Sequence, residues 1–183
     1  MRCLVCKDID LEVAEIEPGL KVHRCSKCGG SWLRFDDYME WNKQNDGRDE
    51  VSSSTSSGFV VNDSINPKLC PDCGRIMRVY KIDSSLNFGV ENCGHCNGIW
   101  LDGNEWEALR EKQLHNQINK FFTDTWQKKI QAAEREEYFQ SFYRNKFGEE
   151  DYTKIKEIRV WLKENRNKDM LLSYLMSEDP YRL

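Results

Sequence analysis

The sequence predicts a small α+β fold, with short antiparallel β hairpins in the first half and α-helices in the second. Three observations carry that expectation. Eight cysteines fall in four Cys-x-x-Cys pairs, all within the first 96 residues; one 13-residue segment recurs at an offset of 68; and neither Gly nor Pro occurs from Asn104 to Phe147.

The chain has 183 residues, 39% of them apolar and 32% charged, with a mean hydropathy of -0.77. That composition argues against one large core. No apolar run approaches the roughly 18 residues of a membrane span, and the N-terminus reaches Cys3 without the apolar stretch of a signal peptide. The expectation is a soluble, cytoplasmic protein without a membrane partner. Disulfides are rare in that compartment, so the cysteines read as metal ligands.

Cys3 pairs with Cys6, Cys25 with Cys28, Cys70 with Cys73, and Cys93 with Cys96, each across two residues. Gaps of 18 and 19 residues separate the halves of each foursome. Both lie in the range of about 15–20 residues that joins the halves of a four-cysteine zinc site. A tight turn presents each pair to one ion at about 2.3 Å, and the intervening chain returns as a hairpin. Two zinc-stabilised four-cysteine ribbons follow, each with one Zn2+. Counted as thiolates plus zinc, the two sites shift the formal charge from -4 to about -8.

The residue after the second cysteine of each pair often turns with positive φ. Those positions are Lys7, Gly29, Gly74 and Asn97, of which Lys7 suits that conformation least. His23 and His95 lie close enough in sequence to replace a thiolate, but four cysteines already complete each set. Thiol redox chemistry is the weaker alternative, since it ordinarily uses one pair beside a βαβ unit. Four thiolates also close the tetrahedron and leave no position for a catalytic water.

The repeat extends past the ligands. Cys25 to Asp37 reads CSKCGGSWLRFDD and Cys93 to Glu105 reads CGHCNGIWLDGNE. Gly30, Trp32 and Leu33 recur as Gly98, Trp100 and Leu101, so the module is duplicated. Over roughly residues 1–45 and 67–109 the chain resembles the transcription-factor-IIB-like zinc ribbons, on the Cys-x-x-Cys-x-Gly-x-Trp-Leu pattern and the acidic residue after it. The resemblance implies zinc binding and identifies a module, not an activity. Trp32 and Trp100 are expected to cover the hairpins as core. Asp102 with Glu105, and Asp36 with Asp37, are placed to start a helix after each ribbon.

The expected domains are ribbon 1 over 1–45, a flexible Ser-rich linker over 46–66, ribbon 2 over 67–108, and a helical C-terminal region over 109–183. Strong helix formers from Asn104 to Phe147 predict one long helix, kinked near His115 to Asn119. Apolar residues recur at helical spacing from Leu114 to Ile130, and an aromatic set follows from Tyr138 to Phe147. After Gly148, an internally packed helical hairpin is expected, with Trp161, Leu171, Leu172 and Leu175 as partners for the long helix, and an intermolecular groove is the alternative.

These features point to a non-enzymatic adaptor that binds a protein partner, or itself, through the helical region. A nucleic-acid-binding or transcription-associated regulator is the alternative. Charge does not favour it: residues 103–183 carry 15 basic against 15 acidic side chains, and residues 70–102 only Arg75, Arg78 and Lys81 against four acids. No Ser-His-Asp order, phosphate loop or open metal site suggests an enzyme.

Overall fold

In the computed structural model, which describes residues 1–45 and 66–181, each cysteine foursome brackets a β hairpin. The first comprises β1 (Glu12–Glu17) and β2 (Leu20–Arg24), and the second β4 (Arg78–Lys81) and β5 (Gly89–Asn92). A short strand follows each second cysteine pair, β3 (Ser31–Leu33) and β6 (Ile99–Leu101). All but one residue of the expected Ser-rich linker lies outside the described residues.

The two ribbons are joined. β3 pairs antiparallel with β6, giving one six-stranded sheet in the order β1-β2-β3-β6-β5-β4. Trp32 lies opposite Trp100, with Ser31 opposite Leu101 and Leu33 opposite Ile99. Each residue thus faces the counterpart of its mirror position in the repeat. This is the isologous arrangement of a two-fold dimer, built into one chain.

Side chains alternate along β3 and β6, so the paired strands feed two cores. On one face Leu33, Ile99 and Leu101 join Leu20, Val22 and Val90. Helices α1 (Phe35–Asn45) and α2 (Glu105–Glu111) cover that cluster with Tyr38, Trp41, Trp106 and Leu109. Trp32 and Trp100 belong to the second cluster, with Cys3, Cys25, Cys70 and Cys93. Both indoles are fully buried, as core residues should be.

The expected long helix is divided. α2 ends at Glu111, Gln113 takes a φ of 56°, a 3-10 turn covers His115–Gln117, and α3 spans Ile118–Phe121 before α4 (Asp124–Phe147). Packing overrides propensity here: Leu109, Ile118 and Phe121 are each fully buried. The Tyr38 hydroxyl pins the break, donating to the His115 carbonyl and accepting from the Ile118 amide, each at 3.1 Å. These residues complete the core over the sheet, and the first compact unit runs from Met1 to Ala133.

Residues 134–183 form a second unit. It holds the end of α4, then α5 (Glu149–Glu164) and α6 (Lys168–Met176). Gly148 alone separates α4 from α5, with a φ of 83° that suits glycine. Trp161, Leu172 and Leu175, expected to be covered, are exposed. Among the described residues no helix is long and apolar enough to cross a membrane.

Candidate metal centre

All eight cysteines converge, in two clusters: Cys3, Cys6, Cys25 and Cys28, and Cys70, Cys73, Cys93 and Cys96. Each cluster takes one pair from before its hairpin and one from after it. Among the described residues both clusters consist of cysteines alone, and neither His23 nor His95 joins them.

The knuckles are built by the backbone. In every pair the amide of the residue after the second cysteine donates to the carbonyl of the first: Lys7 to Cys3 at 3.0 Å, Gly29 to Cys25 at 3.0 Å, Gly74 to Cys70 and Asn97 to Cys93 at 2.8 Å. All four donors turn with positive φ, from 58° at Asn97 to 75° at Gly29, and Lys7 is held at 62°. A β-carbon is strained in that region, so Lys7 carries a cost that glycine avoids.

Sulfur geometry tests the fit to a metal ion. Ligands about 2.3 Å from a tetrahedral zinc lie about 3.8 Å from one another. Here Cys3 and Cys28 sulfurs are 3.5 Å apart, Cys6 and Cys25 3.9 Å, Cys70 and Cys96 3.4 Å, and Cys73 and Cys93 3.5 Å. These two edges of each cluster lie within about 0.4 Å of that value, all four ligand atoms of each cluster lie within 4.8 Å of one another, and the separations are far longer than a disulfide bond of about 2.05 Å.

Electrostatics point the same way. Burial opposes ionisation of Cys25. Amide donors from Cys28 and Lys27, with the neighbouring thiols, nevertheless bring it down to about 7. Cys93, its repeat counterpart, is likewise brought to about 7 against burial, by the Cys96 and His95 amides and nearby thiols. Cys6, Cys28, Cys70 and Cys96 are pushed up, burial being the leading cause. Four sulfurs this close cannot all ionise unaided, and a dication is what would hold them as thiolates.

The seam between the ribbons lies beside both clusters. A β-carbon on Gly30 would come within 2.5 Å of Cζ2 of Trp100, and one on Gly98 would overlap Cζ2 and Cη2 of Trp32. Each indole therefore lies over the glycine two residues before the other tryptophan, the diagonal neighbour across β3 and β6. The Trp32 indole N–H donates to Asp72, in the other ribbon's knuckle, at 3.3 Å, and Arg34 stands 3.5 Å from the same carboxylate. Gly103 also lies against the Cys28 carbonyl, where a β-carbon has no room.

Sequence reasoning missed a charged cluster behind the second ribbon. The Lys68 ammonium, only 2% exposed, donates to Glu91 and, at 2.9 Å, to Asp102. Trp100 donates its indole N–H to Asp102 at 2.6 Å, and Glu105 accepts from the Asp102 amide at 2.8 Å. Glu105 thus reaches back to the Asp102 amide, as expected of an acid that starts a helix. The Asp102 carboxylate meets Lys68 and Trp100, and Asn104 occupies the cap position of α2. Burial alone would lower the Lys68 pKa, but its two carboxylates raise it above the usual lysine value. In the first copy Met1, His23 and Arg34 hold the matching positions, so the repeat itself could not reveal the cluster.

With this geometry in place, comparison with known proteins gives one family. Residues 69–112 match a transcription factor zinc-finger, the ribbon of transcription-factor-IIB type. The match spans the second ribbon and α2, and the cluster at Cys3 to Cys28 repeats its four-cysteine arrangement. No curated protein and no solved structure matches the chain. Both four-cysteine groups can bind metal ions, and the ribbon family implies zinc.

Proposed function

We infer that the chain is a non-enzymatic adaptor in which two structural zinc ions fix a rigid double ribbon and the helical second unit engages a protein. The observation that carries this is the pair of closed four-sulfur clusters flanking one buried Trp-Gly seam. Four thiolate ligands would fill each ion's coordination and leave no position for substrate. The zinc contributes folding free energy, and the small hairpins need it.

A nucleic-acid or transcription-associated role is the second reading, favoured by the family of the 69–112 match. Net charge opposes it, since the chain stands at -4 before the eight thiolates and two zinc ions are counted. Fluorescence anisotropy of labelled DNA and RNA, titrated with zinc-loaded protein across a salt series, separates the two. The adaptor predicts no submicromolar binding at any salt. Tight binding that weakens steeply with salt would overturn it in favour of the nucleic-acid reading.

A further inference from the structure

The two ribbons differ in how well they cover their sulfurs. In every Cys-x-x-Cys pair the first cysteine is buried and the second turns outward. In the first ribbon the outer residues, Cys6 and Cys28, are half-buried. In the second ribbon Cys73 and Cys96 are exposed.

Replacements within the repeat account for the difference. Leu4 and Val5, between the cysteines of the first knuckle, pack with Ile9 against the cluster of buried cysteines and tryptophans. Pro71 and Asp72 stand in their places, and the Asp72 carboxylate turns to Trp32 and Arg34. Over the Cys25–Cys28 knuckle, Gly103 lies against the Cys28 carbonyl, and its α-carbon is 3.6 Å from a β-carbon built on Gly29. Phe35 holds the position of Gly103 in the other copy. That approach has no room for a β-carbon, so Phe35 does not repeat it over Cys96; its ring joins the core beside Tyr38. In the second ribbon's knuckles, β-carbons on Gly74 and Gly94 would meet nothing within 4 Å.

We propose that Cys73 and Cys96 form an oxidation site for hydrogen peroxide, which joins them as a disulfide while the first ribbon stays reduced. Oxidation follows thiolate character and access, and since bound zinc would hold all eight sulfurs as thiolates, access decides. Peroxide is small enough to reach sulfurs that a bulkier alkylating agent does not. The Cys96 thiolate gives an electron pair to one peroxide oxygen, the O–O bond breaks, and hydroxide leaves behind a sulfenic acid. The Cys73 thiolate then attacks that sulfur, forms the S–S bond and expels a second hydroxide. Solvent protons turn both hydroxides to water; the two sulfurs lose two electrons and the peroxide gains two. Cys70 and Cys93 are held in the core, whereas the exposed sulfurs are free to close from within 4.8 Å to a bond of about 2.05 Å. Two ligands then remain, too few for a closed tetrahedron, so the second ribbon gives up its ion. Asp72 adjoins Cys73 and accepts the Trp32 indole N–H, which carries the change to the seam. The inference goes beyond the adaptor reading and rests on the zinc sites alone.

The test is titration of the zinc-loaded full chain with hydrogen peroxide, followed by native mass spectrometry, non-reducing peptide mapping and tryptophan emission. One zinc ion should leave first, together with formation of a Cys73–Cys96 disulfide and a change in emission. Cys3, Cys6, Cys25 and Cys28 should stay reduced and keep the other ion. A thiol reductant with added zinc should restore the second ion and the original emission. Loss of both ions at one rate, earlier oxidation of the first ribbon, a different cysteine pair, irreversible oxidation, or retention of both ions would each overturn the proposal. None of these results bears on protein or nucleic-acid binding, so failure here is distinct from failure of the adaptor reading.

Discussion

Gly98→Ala is the sharpest perturbation of the seam. Carbon atoms in contact sit about 3.5–4.0 Å apart. The new methyl would overlap the six-membered ring of Trp32, so the indole must retreat by more than 1 Å. Trp32 is fully buried and its N–H is committed to Asp72, so retreat disturbs the Cys70 knuckle as well. Overpacking of this kind costs about 1–3 kcal/mol, and the rigidity of the site puts the expected loss near 3 kcal/mol. Gly94→Ala is the control, because nothing lies within 4 Å of its β-carbon. The assay is urea unfolding at fixed free zinc, with Trp32→Phe completing a double-mutant cycle. Phe lacks the ring edge that clashes, so Gly98→Ala should cost about 2 kcal/mol less in that background. A coupling under about 0.5 kcal/mol would refute the seam, since the two residues belong to different ribbons.

Other expectations follow from the same structure. Lys7→Gly should raise stability by about 0.5–1 kcal/mol, read as a Tm increase of a few degrees, because the turn at φ 62° no longer strains a β-carbon. Lys68→Met should lower stability by about 3–5 kcal/mol in urea unfolding, because Glu91 and Asp102 lose the buried cation between them. The raised Lys68 pKa has a sign that can be checked. Its contribution is fully present below the ordinary lysine value of about 10.5 and is lost as pH rises through the higher folded value, so wild type should lose more stability above pH 10.5 than Lys68→Met does. Cys96→Ser should remove one metal ion by mass spectrometry and shift tryptophan emission to the red, as β6 loosens from β3.

Both cysteine clusters were legible in the sequence because ligand spacing is a local constraint on a turn. The positive φ after each pair was legible for the same reason, and even Lys7 obeys it. Pairing of β3 with β6 was not, although its signal stood in the repeat. A glycine two residues before each tryptophan is what an indole from the opposite strand requires, but sequence alone does not say which indole. The division of the long helix escaped propensity because Ile118 and Phe121 gain more by entering the core than by continuing one axis. The cluster around Lys68 was invisible since a buried lysine is recognised only by carboxylates that arrive from β5 and the end of β6. Helical periodicity located the aromatic ladder of α4, yet periodicity marks a face without saying what covers it.

Native mass spectrometry of the full chain, followed by alkylation of accessible thiols, tests the central claim most directly. Two closed ribbons predict two zinc ions per chain and eight protected cysteines, all of which become reactive together with loss of the sheet when a chelator removes the metal. A chain that carries fewer than two ions, or that keeps its sheet with eight reactive thiols after chelation, would contradict the account.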